Sequence, residues 1–320
     1  MDFVIQMDSA RTLVYMRDVG LVFNEPTCVA TVIDKRGRMV VQSIGNRARK
    51  STMNVTWPIS DGVVSHEEEL PLFLREVLSR LSITSKKPSG IFLIPSSLSA
   101  AEISAYKTAV YASGIYNAVF IPGVITQGLA NEVFVTQQIL GAGPACSVIL
   151  GHDKIDICII ENHQITDGGT VDMGVSHMVT RTVVHMRHIH GIDLSREEAA
   201  DALHETRTLF TGDQTTTRAM GRDPQSGTDR EIAFTGIIAA EILTPIYQKI
   251  ARAIKKVING RPIPIIIGGM ASDTPGLGPF LSREFGHPIT IAPKSVLSPI
   301  TGAATLLSDS TLLQKIVELC

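Results

Sequence analysis

Phe3-Val4-Ile5-Gln6-Met7-Asp8-Ser9-Ala10-Arg11-Thr12-Leu13-Val14-Tyr15-Met16 opens the chain, and roughly 140 residues later Cys146-Ser147-Val148-Ile149-Leu150-Gly151-His152-Asp153-Lys154-Ile155-Asp156-Ile157-Cys158-Ile159-Ile160 repeats its design. Each stretch is a short apolar run, a polar turn and a second apolar run. That pattern predicts strands Phe3–Met7 and Thr12–Met16 around Asp8–Arg11, and Cys146–Leu150 and Ile155–Ile160 around Gly151–Lys154. A third strand is expected after each pair, near Thr27–Asp34 and near Gln164–Asp167. Both halves then turn helical, so the chain reads as two α/β lobes facing each other across a cleft.

The helical parts carry start signals. Ser99 with Glu102 forms a capping box, Ser195 with Glu198 repeats it, and Ser65 with Glu68 is a third candidate ahead of the apolar face Leu70, Leu74, Val77, Leu78 and Leu81. Glu231–Ile258 reads as one long helix bent at Pro245, followed by a buried strand at Ile263–Ile267 and the turn Gly268-Gly269. Thr211–Asp229 is polar and contains glycine, which suits a surface excursion or a small inserted subdomain.

Composition narrows the function classes. The 320 residues are 44% hydrophobic, enough for a substantial core. A net charge of -2 with short, scattered Lys-Arg runs gives no field that would gather nucleic acid. The cysteines Cys28, Cys146, Cys158 and Cys320 form no CxxC pair and read as reduced cytosolic thiols. With no basic leader and no apolar run of the ~18–20 residues that span a bilayer, an unexported, cytoplasmic protein is expected.

Several segments resemble the MreB family of bacterial actins: Asp8 with Thr12-Leu13-Val14-Tyr15, Asn24–Ala30, Ile44-Gly45-Asn46-Arg47-Ala48, Pro58–Val64, Ile94–Ser97 with Glu102, Gly221-Arg222-Asp223, and Ile267-Gly268-Gly269-Met270. They occur in the family's order across almost the whole chain. The resemblance implies an actin-like fold, two ribonuclease-H-like lobes around a cleft that holds ATP and magnesium. It would place the first lobe at residues 1–140 with a small subdomain about 30–65, and the second at 141–320 with one about 190–230. The C-terminal helix would pack back on the first lobe.

The departures from the family pattern fall on the chemistry. The first turn, Asp8-Ser9-Ala10-Arg11-Thr12, is two residues shorter than the family's and has lost its glycine, which lets backbone amides approach phosphate. At the second turn the metal-side carboxylate has become Ile149, and Asp153 brings negative charge toward a phosphate. The acid that orients water is absent from Ile121-Pro122-Gly123-Val124-Ile125, a loss of typically ~10²–10⁴-fold in rate. No catalytic residue and no metal ligand is therefore assigned. The remnant nucleotide contacts are Asp8, Ser9, Thr12, Gly151, Glu198, Gly268 and Gly269.

The resemblance then implies a filament subunit for cell shape or envelope organisation, with weak or absent ATP hydrolysis and with ATP and magnesium as the cofactors to test. Its partners would be itself or a complete MreB homologue, together with the membrane's inner surface and envelope-synthesis proteins. Ile83 is the candidate membrane contact, although a lone isoleucine beside Lys86 and Lys87 is a marginal anchor. Two alternatives stay open: an active ATPase whose phosphate site is rebuilt from Arg11, His152 and Lys154, and an actin-fold scaffold that does not polymerise.

Three other features read as structural. Asp167-Gly168-Gly169-Thr170 looks like a phosphate turn but follows a third strand, so a plain turn is expected. His177, His185, His188 and His190 are clustered, yet no thiol or carboxylate completes a metal spacing. Ser96 and Ser97 lack the elbow of a nucleophile.

Overall fold

The computed structural model describes residues 1–52, 54–81, 83, 85–130 and 143–319. The two quoted stretches each fold back as a hairpin. Strands β1 (Phe3–Met7) and β2 (Arg11–Met16) run antiparallel, with Phe3 opposite Met16 and Met7 opposite Thr12. β3 (Gly20–Pro26) adds antiparallel to β2, while β4 (Ser89–Ile94) lies parallel to β1 and β5 (Asn117–Pro122) parallel to β4. In the second half β6 (Ala145–Leu150), β7 (Ile155–Glu161) and β8 (Gln164–Val171) form the antiparallel series, with β9 (Ile265–Gly269) and β10 (Thr290–Ile291) added in parallel. The orders β5-β4-β1-β2-β3 and β10-β9-β6-β7-β8 are identical in connection and direction, so the duplication holds at the level of topology.

The third strand of the first half is Gly20–Pro26, not Thr27–Asp34. Gly20 at φ +103° turns the chain straight back after β2. The next apolar stretch, Val29–Ile33, pairs instead with Met39–Ile44 and Val55–Thr56 in a separate three-stranded sheet. Asp167–Thr170 is not a turn either but part of β8. A Cβ on Gly168 would stand 2.8 Å from the Ile157 carbonyl oxygen and 2.9 Å from Cys158 Sγ, so glycine there serves close strand contact.

Among the described residues the helices are α1 (Gly45–Arg49), α2 (Glu69–Arg80), α3 (Ala100–Ala112), α4 (Gly123–Leu129), α5 (Val175–His190), α6 (Arg196–Thr206), α7 (Gly236–Ile258), α8 (Leu277–Phe285), α9 (Ser298–Thr305) and α10 (Ser310–Leu319). The Ser99–Glu102 box is complete at the start of α3. Ser195 caps α6, but the Glu198 carboxylate accepts from the Met220 amide at 3.1 Å instead of closing the box. Ser65 caps nothing: α2 begins at Glu69, and the Ser65 hydroxyl donates to the Trp57 carbonyl. The long helix starts at Gly236, because Asp229–Thr235 pairs with Thr216–Arg222 and that pairing overrides helical propensity. With Asp193–Leu194 these strands make a small sheet out of the expected polar excursion.

Two cores fill the lobes, one around Phe3, Phe73, Phe92 and Tyr106, the other around Ile157, Phe234, Tyr247 and Ile267. A third joins them, with Val4, Leu13 and Leu93 from the first sheet, Cys158 and Ile160 from the second, and Ile300 and Ile316 from α9 and α10. Here α4 and α9 approach backbone to backbone, since a Cβ on Gly302 would lie 1.7 Å from the Thr126 carbonyl oxygen. Among the described residues no helix is long and apolar enough to cross a membrane.

Candidate functional site: the cleft between the two hairpin turns

The two hairpin turns meet across the cleft. Ser9 Oγ donates to Asp153 Oδ2, joining residues 144 apart in sequence. The first turn is closed on itself, because the Asp8 carboxylate accepts from the amides of Ala10 and Arg11 at 2.8 Å each. Those are the amides that a phosphate would need. The second turn is tied to the start of α5: the carbonyls of Gly151, His152 and Asp153 accept from Val175, Ser176 and Gly174 at 3.1, 2.8 and 3.0 Å. The helix N-terminus, a natural anion cradle, is thereby filled by protein carbonyls.

Below the turns lies a cavity of about 90 Å³, with Ile94, Pro95, Gly123, Ile149 and Pro299 on its apolar side and Asp8, His152, Asp153, Lys154 and Asp156 on its polar side. Ligand pockets for drug-sized molecules run to roughly 300–1,000 Å³. The expected acid-bearing run Ile121–Ile125 ends β5 and opens the wholly buried helix Gly123–Leu129, which carries no acid. As arranged, these residues do not fit a magnesium triphosphate: the Ala10 and Arg11 amides are taken, the Asp153 carboxylate lines the cavity, and Ile149 offers no oxygen to a metal. Among the described residues no group of three or more His, Cys, Asp or Glu is placed to hold a metal ion.

Electrostatics reinforce the clasp. Burial opposes ionisation of Asp153, but the bonds from His152 and Ser9 outweigh it and hold its carboxyl below the usual range. Burial likewise opposes a charged His152, yet the hydrogen bond to Asp153 at 2.8 Å and the charges of Asp153 and Asp8 raise its pKa. Desolvation raises Asp8, against the two amide bonds and His152.

Further contacts hold the lobes together. Asp156, buried in β7, accepts from the Ser96 amide at 3.3 Å and from Thr170 Oγ1 at 3.1 Å. Gln127 of α4 donates to Ser147 Oγ and the Val148 carbonyl of β6, and accepts from Ser298 Oγ of α9. At the surface Arg49 of α1 pairs with Glu197 of α6 at 2.8 Å, a further link between the two halves of the chain.

Of the residues read from sequence, Asp8 and Gly151 line the cavity and Ser9 closes it. Thr12 is fully buried and bonds Thr27 at 2.9 Å. Glu198 lies on α6 against Met220. Gly268, next to last in β9, lies so close to Ser298 and Gln127 that a Cβ would meet their side-chain oxygens at 2.2 and 2.4 Å, and Gly269 sits at φ +94° against Leu150. Of the three cations offered for a rebuilt phosphate site, Arg11 turns outward to Asn24 at 2.6 Å, His152 is held by Asp153, and Lys154 lines the cavity. Ile83 is half-buried against the first core.

Two cleft residues escaped the sequence reading. Gln6 lines the cavity with a buried Oε1 that has no hydrogen-bond partner among the described residues. Asp156 is the other; in both cases a polar residue inside an apolar strand was the available signal. The buried thiols are inert, with burial pushing Cys28 and Cys158 up to about 11 and Cys146 to about 12.

Comparison with known proteins accords with this architecture. The family model of the MreB/Mbl protein matches residues 1–315. The cell shape-determining protein Mbl of Bacillus subtilis (strain 168) is 23% identical over 337 aligned positions, covering 98% of each chain. The structure of MreB5 of Spiroplasma citri bound to ADP superposes with a TM-score of 0.84 at 17% identity, covering 98% of this chain and 99% of that one. A MamK double helical filament gives 0.74 at 19% identity, with 96% and 99% covered. The match over residues 1–315, on a duplicated pair of sheets around a cleft, establishes that this chain belongs to the MreB/Mbl family and has an actin-like fold.

Proposed function

We propose that the chain is a cytoskeletal filament subunit of the cell-shape type, whose lobes are closed by its own side chains and which hydrolyses ATP slowly or not at all. The observation that carries this reading is the Ser9–Asp153 bond between the two turns. In a two-lobed subunit, assembly needs one rigid relative orientation, and any interaction that favours the closed state supplies it. In this reading a charge-assisted bond, the buried Gln127 network and the α4–α9 contact take over that role from a ligand.

The kinship with Mbl, a cell shape-determining protein, and the likeness to a MamK double helical filament support self-association. S. citri MreB5 was captured with ADP. In this chain nucleotide entry costs the Ser9–Asp153 bond, so affinity is weak. Its place in this reading is the cytoplasm, with peripheral attachment at the inner face of the membrane beside envelope-synthesis proteins. A contact through Ile83 would use only the exposed part of that side chain.

Pelleting and negative-stain imaging of the full chain, with and without Mg-ATP, together with phosphate release, test the proposal. Protofilaments in the absence of nucleotide are expected. Assembly that strictly requires Mg-ATP and releases phosphate would overturn it, as would a monomer under every condition.

A further inference from the structure

Outside the cleft, α5 and α7 pack with a second concave site between them. His177, Arg181 and His185 fall on successive turns of α5 at intervals of four, which puts them on one face. Glu241, Pro245 and Lys249 continue the same spacing on α7, and all six line one pocket. Its volume, about 70 Å³, compares with ~10–15 Å³ per water. That is room for a tetrahedral oxyanion and too little for a metabolite of any length.

The charges around it are unbalanced. Arg181 and Lys249 are exposed at its rim, and among the described residues neither has an ion-pair partner. His185 Nε2 is buried without a hydrogen bond, and its one facing carboxylate, Glu241, stands 3.8 Å away. The pocket is net positive before either imidazole is charged. Two cations at the rim of one small cavity, beside an imidazole whose Nε2 lacks a partner, favour an anion, whereas a metal ion would meet repulsion and too few ligands.

We propose that the pocket between α5 and α7 binds a phosphate group, carried free or on an anionic lipid headgroup, with Arg181 and Lys249 closing over it from the rim and His177 and His185 as additional donors. Arg181 supplies planar donors to phosphate oxygens and Lys249 a point charge. The groups facing the imidazoles are Arg181 and His190 from α5 and Glu241 and Lys249 from α7. Burial first, and then the neighbouring cations, hold both imidazoles below their usual value. A bound anion offsets that repulsion, so for a ligand of constant charge, such as a phosphodiester headgroup, binding tightens as pH falls below 6.5.

The test titrates the full chain with inorganic phosphate, following the histidine ring resonances by NMR. It then measures sedimentation with phosphatidylcholine vesicles with and without phosphatidylglycerol. Response to free phosphate identifies a soluble ligand, and response to the phosphatidylglycerol vesicles alone identifies the lipid. In either arm Arg181→Gln and Lys249→Gln should each weaken binding by about tenfold or more, and Glu241→Gln, which removes the opposing charge, should tighten it. The proposal fails if neither probe binds saturably, or if all three substitutions leave affinity within about twofold.

Discussion

Replacing Asp153 with alanine should loosen the protein and open its cleft to nucleotide at the same time. The carboxylate is only 13% exposed and accepts from Ser9 Oγ and from His152 Nδ1, so it ties the two lobes and orients the second turn. Hydrogen bonds to charged groups contribute about 1.5–3 kcal/mol each, but the freed His152 and Ser9 regain water, so a net loss of about 1–3 kcal/mol is expected. For a phosphate the sign reverses. A unit charge about 4–5 Å away at an effective dielectric near 20 repels by about 3–4 kcal/mol, and a partly charged His152 offsets some of it. A gain of about ten- to a hundredfold in nucleotide affinity remains. Urea denaturation reads the first effect, and a fluorescent-ADP titration with and without magnesium reads the second. Ser9→Ala is the companion variant, since it breaks the bond but leaves the charge; it should lose stability with a much smaller gain in affinity. If wild type already binds Mg-ADP as tightly as Asp153→Ala, or if neither variant changes stability, the clasp is not what closes the cleft.

The same pair makes stability depend on pH. Because His152 is raised above its ordinary 6.5, its contribution is complete below that value and is lost as pH rises through the folded pKa. Asp153, held below 3.8, contributes above that value and loses its effect as pH falls through its lowered folded pKa. The urea midpoint should therefore decline as pH rises above 6.5 in wild type, and Asp153→Ala should flatten that limb; an unchanged slope would refute the coupling. Gly302→Ala should cost about 3 kcal/mol or more, or prevent folding, because its Cβ would press the Thr126 carbonyl oxygen at 1.7 Å and drive α4 from α9. A melting temperature within a few degrees of wild type would show that the two helices can slide apart cheaply.

How much could be read in advance varied with the range of the interactions involved. Both hairpins were legible, because alternation of apolar residues about a polar turn is a local property, and so was the Ser99 cap, which spans three residues. Val29–Ile33 was recognised as extended but assigned to the wrong sheet, since a strand's sequence does not name its neighbour. Glu231–Thr235 has helix-forming residues, yet its partner across a turn, Thr216–Arg222, won. Ser65 carried a capping spacing, but its hydroxyl found Trp57 first.

The sequence by itself determined the duplication and the two turns at Asp8–Arg11 and Gly151–Lys154, where the family resemblance leads one to expect altered phosphate contacts. Only the tertiary structure decided what took their place: the Asp8 carboxylate on its own amides, turn carbonyls on the start of α5, and Asp153 against Ser9. The reason is geometric. Missing residue types can be read along the chain, whereas the partner that satisfies a buried polar group is set by which segments the fold brings within hydrogen-bond reach, here residues 144 positions apart.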